Sequence, residues 1–318
     1  MDPKSFDKAL DCFIAGTRAY KKGRLDKAIL CYTTALELGL NYPVVYLLRG
    51  DSYLRKKEPV IALADFTRVI ELNPDIPAVY FRRGRAHHKN GDNYNAIADY
   101  TRFIEILWDE PITFAIHAFF NRGLLYSEIG LQDKAIEDFK TVMKTNPKDP
   151  KPYYDMALAY QRKNMPDRAL ALYTKATLAD PKYQDAYINR GNLYLKMKKY
   201  REAFSDFSRT IRLSPKISVA YNNRGLAHYY RKRYKKAIAD YNKAIKLDSK
   251  SSNPYYNRSL AFAAVGDYSR AWHDVHEAIK LGADIDPVFL KDLRKYSGRN
   301  ELNARKHILT KEGSNANG

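Results

Sequence analysis

The chain has 318 residues, enough for two ordinary domains or one extended one, and its 45% hydrophobic and 13% aromatic content excludes wholesale disorder. Its 55 Lys and Arg against 36 Asp and Glu leave a net charge of +19, which favours acidic partners such as nucleic acid, tubulin-like surfaces or acidic peptides. The only cysteines are Cys12 and Cys31, and Met1 to Leu10 lack the apolar core of a secretory signal. No apolar run approaches the roughly 18 residues of a membrane span. The expected setting is cytoplasmic, with nuclear or cytoskeletal association compatible.

A ruler runs along the chain. Alanines stand at 28, 62, 96, 135, 169, 203, 237 and 271, spaced by 34 residues except for one interval of 39. Twelve residues before each stands a tiny residue: Gly16, Gly50, Gly84, Gly123, Ala157, Gly191, Gly225 and Ser259. Four residues after each stands an aromatic, from Tyr32 to Tyr241, until Val275 ends the series. Small residues at two fixed places let two backbones approach, so each period predicts a pair of antiparallel helices, A and B. Gly23, Gly91, Gly130 and Gly266 mark turns between them.

In chain order, a lead over 1–8 is followed by hairpins at 9–42, 43–76 and 77–110. Five extra residues, 111–115, then account for the 39-residue interval, either as a tolerated insertion or as a hinge or partner contact. Hairpins at 116–149, 150–183, 184–217, 218–251 and 252–285 complete eight. Asp286 and Pro287 read as the start of a capping helix over 286–297, with Phe289, Leu293 and Tyr296 on one face. The polar tail 298–318 is expected to be mostly flexible.

Segments such as "AYNNRGLAHYYRKRYKKAIADYNKAIKLD" and "VYLLRGDSYLRKKEPVIALADFTRVIELNP" resemble the tetratricopeptide repeat over residues 9–285. The resemblance implies an all-α, right-handed superhelical solenoid of eight hairpins plus the C-terminal capping helix. It also implies a non-enzymatic scaffold that takes a peptide or helix of a partner in its concave groove. Cys12, in place of a large aromatic, and Ala283, in place of proline, depart from the pattern at the two ends.

Residues sixteen apart form matched pairs: Arg49 with Asp65, Arg83 with Asp99, Arg122 with Asp138, Arg190 with Asp206, Arg224 with Asp240 and Arg258 with Asp274. The first and fifth repeats lack both members, carrying Ala15 with Cys31 and Met156 with Leu172. This joint loss predicts contacts between helices A and B of one repeat. No phosphate loop, nucleophile elbow, dinucleotide fingerprint or zinc spacing occurs, so no catalytic residue, metal ligand or cofactor is assigned. His273 and His276, and His87 and His88, lack further ligands nearby, and Cys12 and Cys31 fall at core phases.

With the tiny residue as position eight of helix A, positions 4, 7, 8 and 11 form the packed stripe, holding Tyr187, Gly191 and Tyr194 for example. The opposite stripe carries Asn121, Asp155, Asn189, Asn223 and Asn257 at position 6, flanked by Asn192, Asn222 and Asn253. It resembles the asparagine ladder in the groove of O-GlcNAc transferase, where amides hold an extended peptide. Tyr229, Tyr230 and Tyr256 add aromatic contact. The carboxylate clamp of chaperone-binding relatives is not matched, because its phases hold Phe13, Thr17, Leu48, Ala78 and Arg82.

Residues 184–251 contain 17 Lys and Arg against 5 Asp and Glu, densest at Lys198, Lys199, Arg231, Arg233, Lys235 and Lys236. A second cluster is Arg82, Arg83, Arg85, His88 and Lys89. The first is either a solvated edge or a basic docking site for RNA, microtubules or an acidic protein within a larger assembly.

Overall fold

The computed structural model describes residues 2–298, all of whose regular structure is helical. The chain divides between Asp180 and Pro181 into two compact units. The first holds five hairpins: α1 (Pro3–Lys21) with α2 (Leu25–Glu37), α3 (Pro43–Arg55) with α4 (Pro59–Leu72), α5 (Pro77–Lys89) with α6 (Asn93–Ile106), α7 (Ile116–Glu128) with α8 (Gln132–Thr145), and α9 (Pro150–Arg162) with α10 (Pro166–Ala179). The second holds three, α11 (Gln184–Lys196) with α12 (Tyr200–Leu213), α13 (Ser218–Tyr230) with α14 (Tyr234–Leu247), and α15 (Ser252–Ala264) with α16 (Tyr268–Lys280), closed by α17 (Pro287–Ser297).

In the six repeats with glycine at the tiny position, that glycine and the aromatic form the lock between helices A and B. A Cβ added at Gly16, Gly50, Gly123 or Gly191 would stand 2.8 Å from the ring of Tyr32, Phe66, Phe139 or Phe207. These rings are fully buried, so only glycine admits them at that distance. In the eighth repeat the smaller Val275 leaves room for Ser259.

All six Arg–Asp pairs form within their own repeats. Each Nε donates to the aspartate Oδ2 at 2.7–2.9 Å and each Nη2 to Oδ1 at 2.6–2.8 Å. The bidentate fork fixes the rotation of one helix against the other as well as their distance. Where the fifth repeat lacks the pair, Met156 and Leu172 are both buried, two apolar side chains in place of two charged ones.

The turn between helices A and B always places the residue seven after the tiny one in the left-handed region. Gly23, Gly91, Gly130 and Gly266 supply it with φ of 71° to 86°. Lys57, Asn164, Lys198 and Lys232 adopt the same conformation with φ of 57° to 65°, at a cost that glycine avoids.

The ends differ in detail from the expected boundaries. α1 starts at Pro3, capped by Asp2 accepting from the Lys4 and Ser5 amides, so the lead is part of the first helix. Cys12 and Cys31 are half-buried free thiols, with Cys12 against the first core. Residues 111–115 form one 3-10 turn, Ile112–Phe114, before α7. α17 buries Leu293 against Trp272 and Val275, and Tyr296 stays exposed, stacked on Tyr268. Beyond residue 298 the expected flexible tail lies outside the described residues.

Candidate functional site

In the second unit the A helices α11, α13 and α15 bring four asparagines into one hydrogen-bonded line. Asn257 Nδ2 donates to Asn222 Oδ1 at 2.9 Å, Asn222 Nδ2 to Asn223 Oδ1 at 2.9 Å, and Asn223 Nδ2 to Asn192 Oδ1 at 2.7 Å. The chain steps between repeats twice and between neighbours once, so it needs both position 6 and its flanks. Asn222, one residue off the common phase, is the buried link at 8% exposure, whereas Asn192, Asn223 and Asn257 are half-buried. An amide has two donor protons and two acceptor lone pairs, so Asn222 and Asn223 each spend half their capacity on the line. Asn189 is half-buried on α11, and Asn253 is exposed at the start of α15. Asn121 belongs to the first unit, its Nδ2 3.5 Å from the Tyr100 hydroxyl.

The tyrosines divide between two duties. Tyr256 packs edge-on against Phe289 of the capping helix, 6.1 Å between centroids, and burial raises its hydroxyl above the usual range. Tyr230 is 52% exposed and stacks flat on Tyr200 at 4.8 Å with planes 10° apart. Tyr229 touches both Tyr230 and Tyr234, extending the aromatic patch towards the turns.

That patch adjoins the basic edge. Lys198, Lys199, Arg201, Arg231 and Arg233 line a cavity of about 520 Å³ with Tyr200 and a single carboxylate, Glu202. Partial burial first, then the charges of Arg233 and Arg201, lower the Arg231 guanidinium from its ordinary value. Lys235 and Lys236 are exposed on the first turn of α14. Tyr200 and Arg201 close the basic stretch 196–201 legible in the sequence, and the structure adds that both line this cavity as they open α12.

In the fifth repeat, the last of the first unit, position 6 is Asp155 instead of asparagine. Burial pushes its carboxyl up to about 7, only partly offset by Lys151. Among the described residues no group of three or more His, Cys, Asp or Glu is placed to hold a metal ion, and no helix is long and apolar enough to cross a membrane.

Models of the tetratricopeptide repeat match residues 47–111, 116–149, 150–183, 185–217 and 218–251. The chain belongs to the tetratricopeptide repeat family, which makes it a protein-interaction scaffold in general terms and of a typically non-catalytic kind. No curated protein matches it in sequence. Among solved structures it is similar to the C-terminal part of a repeat-containing protein from Cytophaga hutchinsonii, with 18% identity and a TM-score of 0.65 over 77% of this chain and 98% of that one. It is also similar to a tetratricopeptide repeat protein from Parabacteroides merdae, with 22% identity and a TM-score of 0.56 over 82% and 100%. A third is YrrB, described as having an unusual peptide-binding site, with 20% identity and a TM-score of 0.50 over 59% and 95%. At these identities the likeness is one of fold.

Proposed function

We propose that the second unit binds an extended segment of a partner protein along α11, α13 and α15, with side-chain amides holding the partner's backbone. The amide line from Asn257 through Asn222 and Asn223 to Asn192 carries this reading. Amides already tied to each other lose little side-chain freedom when a peptide arrives. Their unused donors and acceptors match a backbone that offers both at every residue, whatever its sequence.

The line also changes which substitution is informative. Alanine at Asn223 would leave the buried Asn222 amide without an acceptor, so a loss of binding there would be confounded with a loss of packing. Alanine at Asn192 and Asn257, the two ends, keeps the central bond; Asn257→Ala also takes the donor from the buried Asn222 Oδ1, so unfolding of the double variant is measured beside its binding. With about 0.5–1.5 kcal/mol lost per peptide contact, the double variant is expected to bind peptides selected on the parent from a displayed library about 5- to 150-fold more weakly. Unchanged affinity for all of them would remove the amide reading.

A second reading rests on the cavity in which five cations, Lys198, Lys199, Arg201, Arg231 and Arg233, face only Glu202. There the edge is a dock for an acidic polymer or surface. If partners survive the Asn192 and Asn257 change but leave steeply with added salt, the basic edge is their site.

A further inference from the structure

The insertion at 111–115 and the arginine cluster of the third repeat meet in the first unit, at a cavity of about 660 Å³ that shares no residue with the amide line. Its cationic wall is Arg55, Arg82, Arg85 and Lys89, from α3 and α5. The one carboxylate on that wall, Asp51, is already engaged. Arg82 Nε donates to its Oδ2 at 2.8 Å. Arg55 lies over the Tyr20 ring at 4.4 Å. Two guanidinium groups are thereby held in place before any ligand arrives, while Arg85 and Lys89 are exposed and make no ion pair among the described residues.

The other wall is apolar. Phe81 leans on Phe103 with centroids 5.4 Å apart, and Leu54 lies beside them. The 3-10 turn adds Phe114, which is 63% exposed. Trp108 and Ile112, at 81% and 46% exposure, extend an apolar surface around the insertion that no described residue covers.

We propose that this cavity binds an acidic peptide segment carrying one large apolar side chain. Its carboxylates meet Arg85 and Lys89, and its apolar side chain enters between Phe81, Phe103 and Phe114. Two observations favour such a ligand over a nucleic acid strand. The Asp51 carboxylate sits inside the cationic wall, and the exposed Glu105, Asp109 and Glu110 flank the insertion, so the positive field is confined to one small face. A polyanion with a phosphate at every nucleotide would run into those acids; a ligand of two or three charges need not.

The test uses the full chain and three labelled probes read by fluorescence anisotropy: a peptide with one Trp among Asp and Glu, its Lys-substituted counterpart, and a single-stranded oligonucleotide of similar length. The acidic peptide is expected to bind at least about tenfold more tightly than the basic one. Arg85→Glu with Lys89→Glu, and separately Phe114→Ser, are each expected to weaken the acidic peptide about tenfold or more. Arg85→Gln with Lys89→Gln serves if charge reversal unfolds the chain, and Asn192→Ala with Asn257→Ala is expected to leave this binding unchanged. The proposal is overturned if the acidic peptide binds all variants alike. It is overturned too if the oligonucleotide binds more tightly than the peptide and depends on the same residues. Self-association of the parent abolished by Phe114→Ser, with no peptide bound, would assign the cavity to a second copy of this chain instead.

Discussion

Gly225→Ala isolates the lock between helices A and B. A Cβ on Gly225 would stand 2.5 Å from Cε1 of Tyr241, 2.8 Å from Cδ1 and 3.0 Å from Cζ. Carbon pairs rest at about 3.5–4.0 Å, so one atom meets a repulsive wall at three points. Tyr241 is fully buried and has no solvent side to move into. Replacing glycine by alanine inside a helix gains about 1 kcal/mol, while overpacking a rigid core costs about 1–3 kcal/mol, at the upper end for this contact. The expected net destabilisation is about 1–2 kcal/mol. At Gly84 the nearest ring atom of Tyr100 is 3.1 Å away, and the two effects should nearly cancel. Urea unfolding followed by circular dichroism measures both. Adding Tyr241→Val, which copies the Ser259 and Val275 arrangement, should recover part of the loss at Gly225. The reasoning fails if Gly225→Ala matches or exceeds the parent, or if Gly84→Ala proves the more damaging.

Two further expectations concern charge. Arg224→Leu and Asp240→Leu should each cost about 1–3 kcal/mol, and the double change less than their sum, since one partner alone leaves a half-buried charge unpaired; strict additivity in the same unfolding assay would deny the coupling. For Asp155, burial holds the folded carboxyl near 7 against 3.8 when unfolded, so folding favours the protonated form. Stability is therefore lost as pH rises from about 4 to 7 and stays lost above. Asp155→Asn should raise stability at about pH 8 by roughly 1–2 kcal/mol, discounted for residual solvent, and change little near pH 4; equal effects at both would refute it.

What the sequence discloses is what repeats. The Arg–Asp pairs were legible because the first and fifth repeats lose both members together, a covariation that needs no coordinates. The asparagine phase was legible for the same reason, but its hydrogen bonds were not. Asn222 sits one residue off that phase, and only the packing of α13 between α11 and α15 turns it into the buried link. The arginine cluster of the third repeat and the insertion were each visible, but the cavity that joins them was not, for a different reason. It draws Tyr20, Arg55, Arg85 and Phe114 from four elements spread over almost a hundred residues, and the insertion that completes it has no counterpart in the other repeats. The left-handed conformation of four of the eight turns was not legible either, because Lys57, Asn164, Lys198 and Lys232 take a glycine conformation without being glycine.

Those turns bear on the basic edge. A lysine in the left-handed region costs about 1 kcal/mol relative to glycine, which the chain uses at four equivalent turns. At Lys57 the local charge is offset, because the adjacent Lys56 pairs with Asp26 at 2.7 Å and Glu58 at 3.1 Å. At Lys198 and Lys232 the strain is added to crowding among Lys199, Arg201, Arg231 and Arg233, with Glu202 the lone acid in their cavity. Two unfavourable terms therefore coincide in two successive repeats, and neither helps the fold. A purely solvated edge would need only one of them, spread anywhere on the surface. Were the edge to meet an anion, as the second reading proposes, a counter-charge would relieve the crowding and a side chain on the turn residue would extend the contact beyond what glycine can reach.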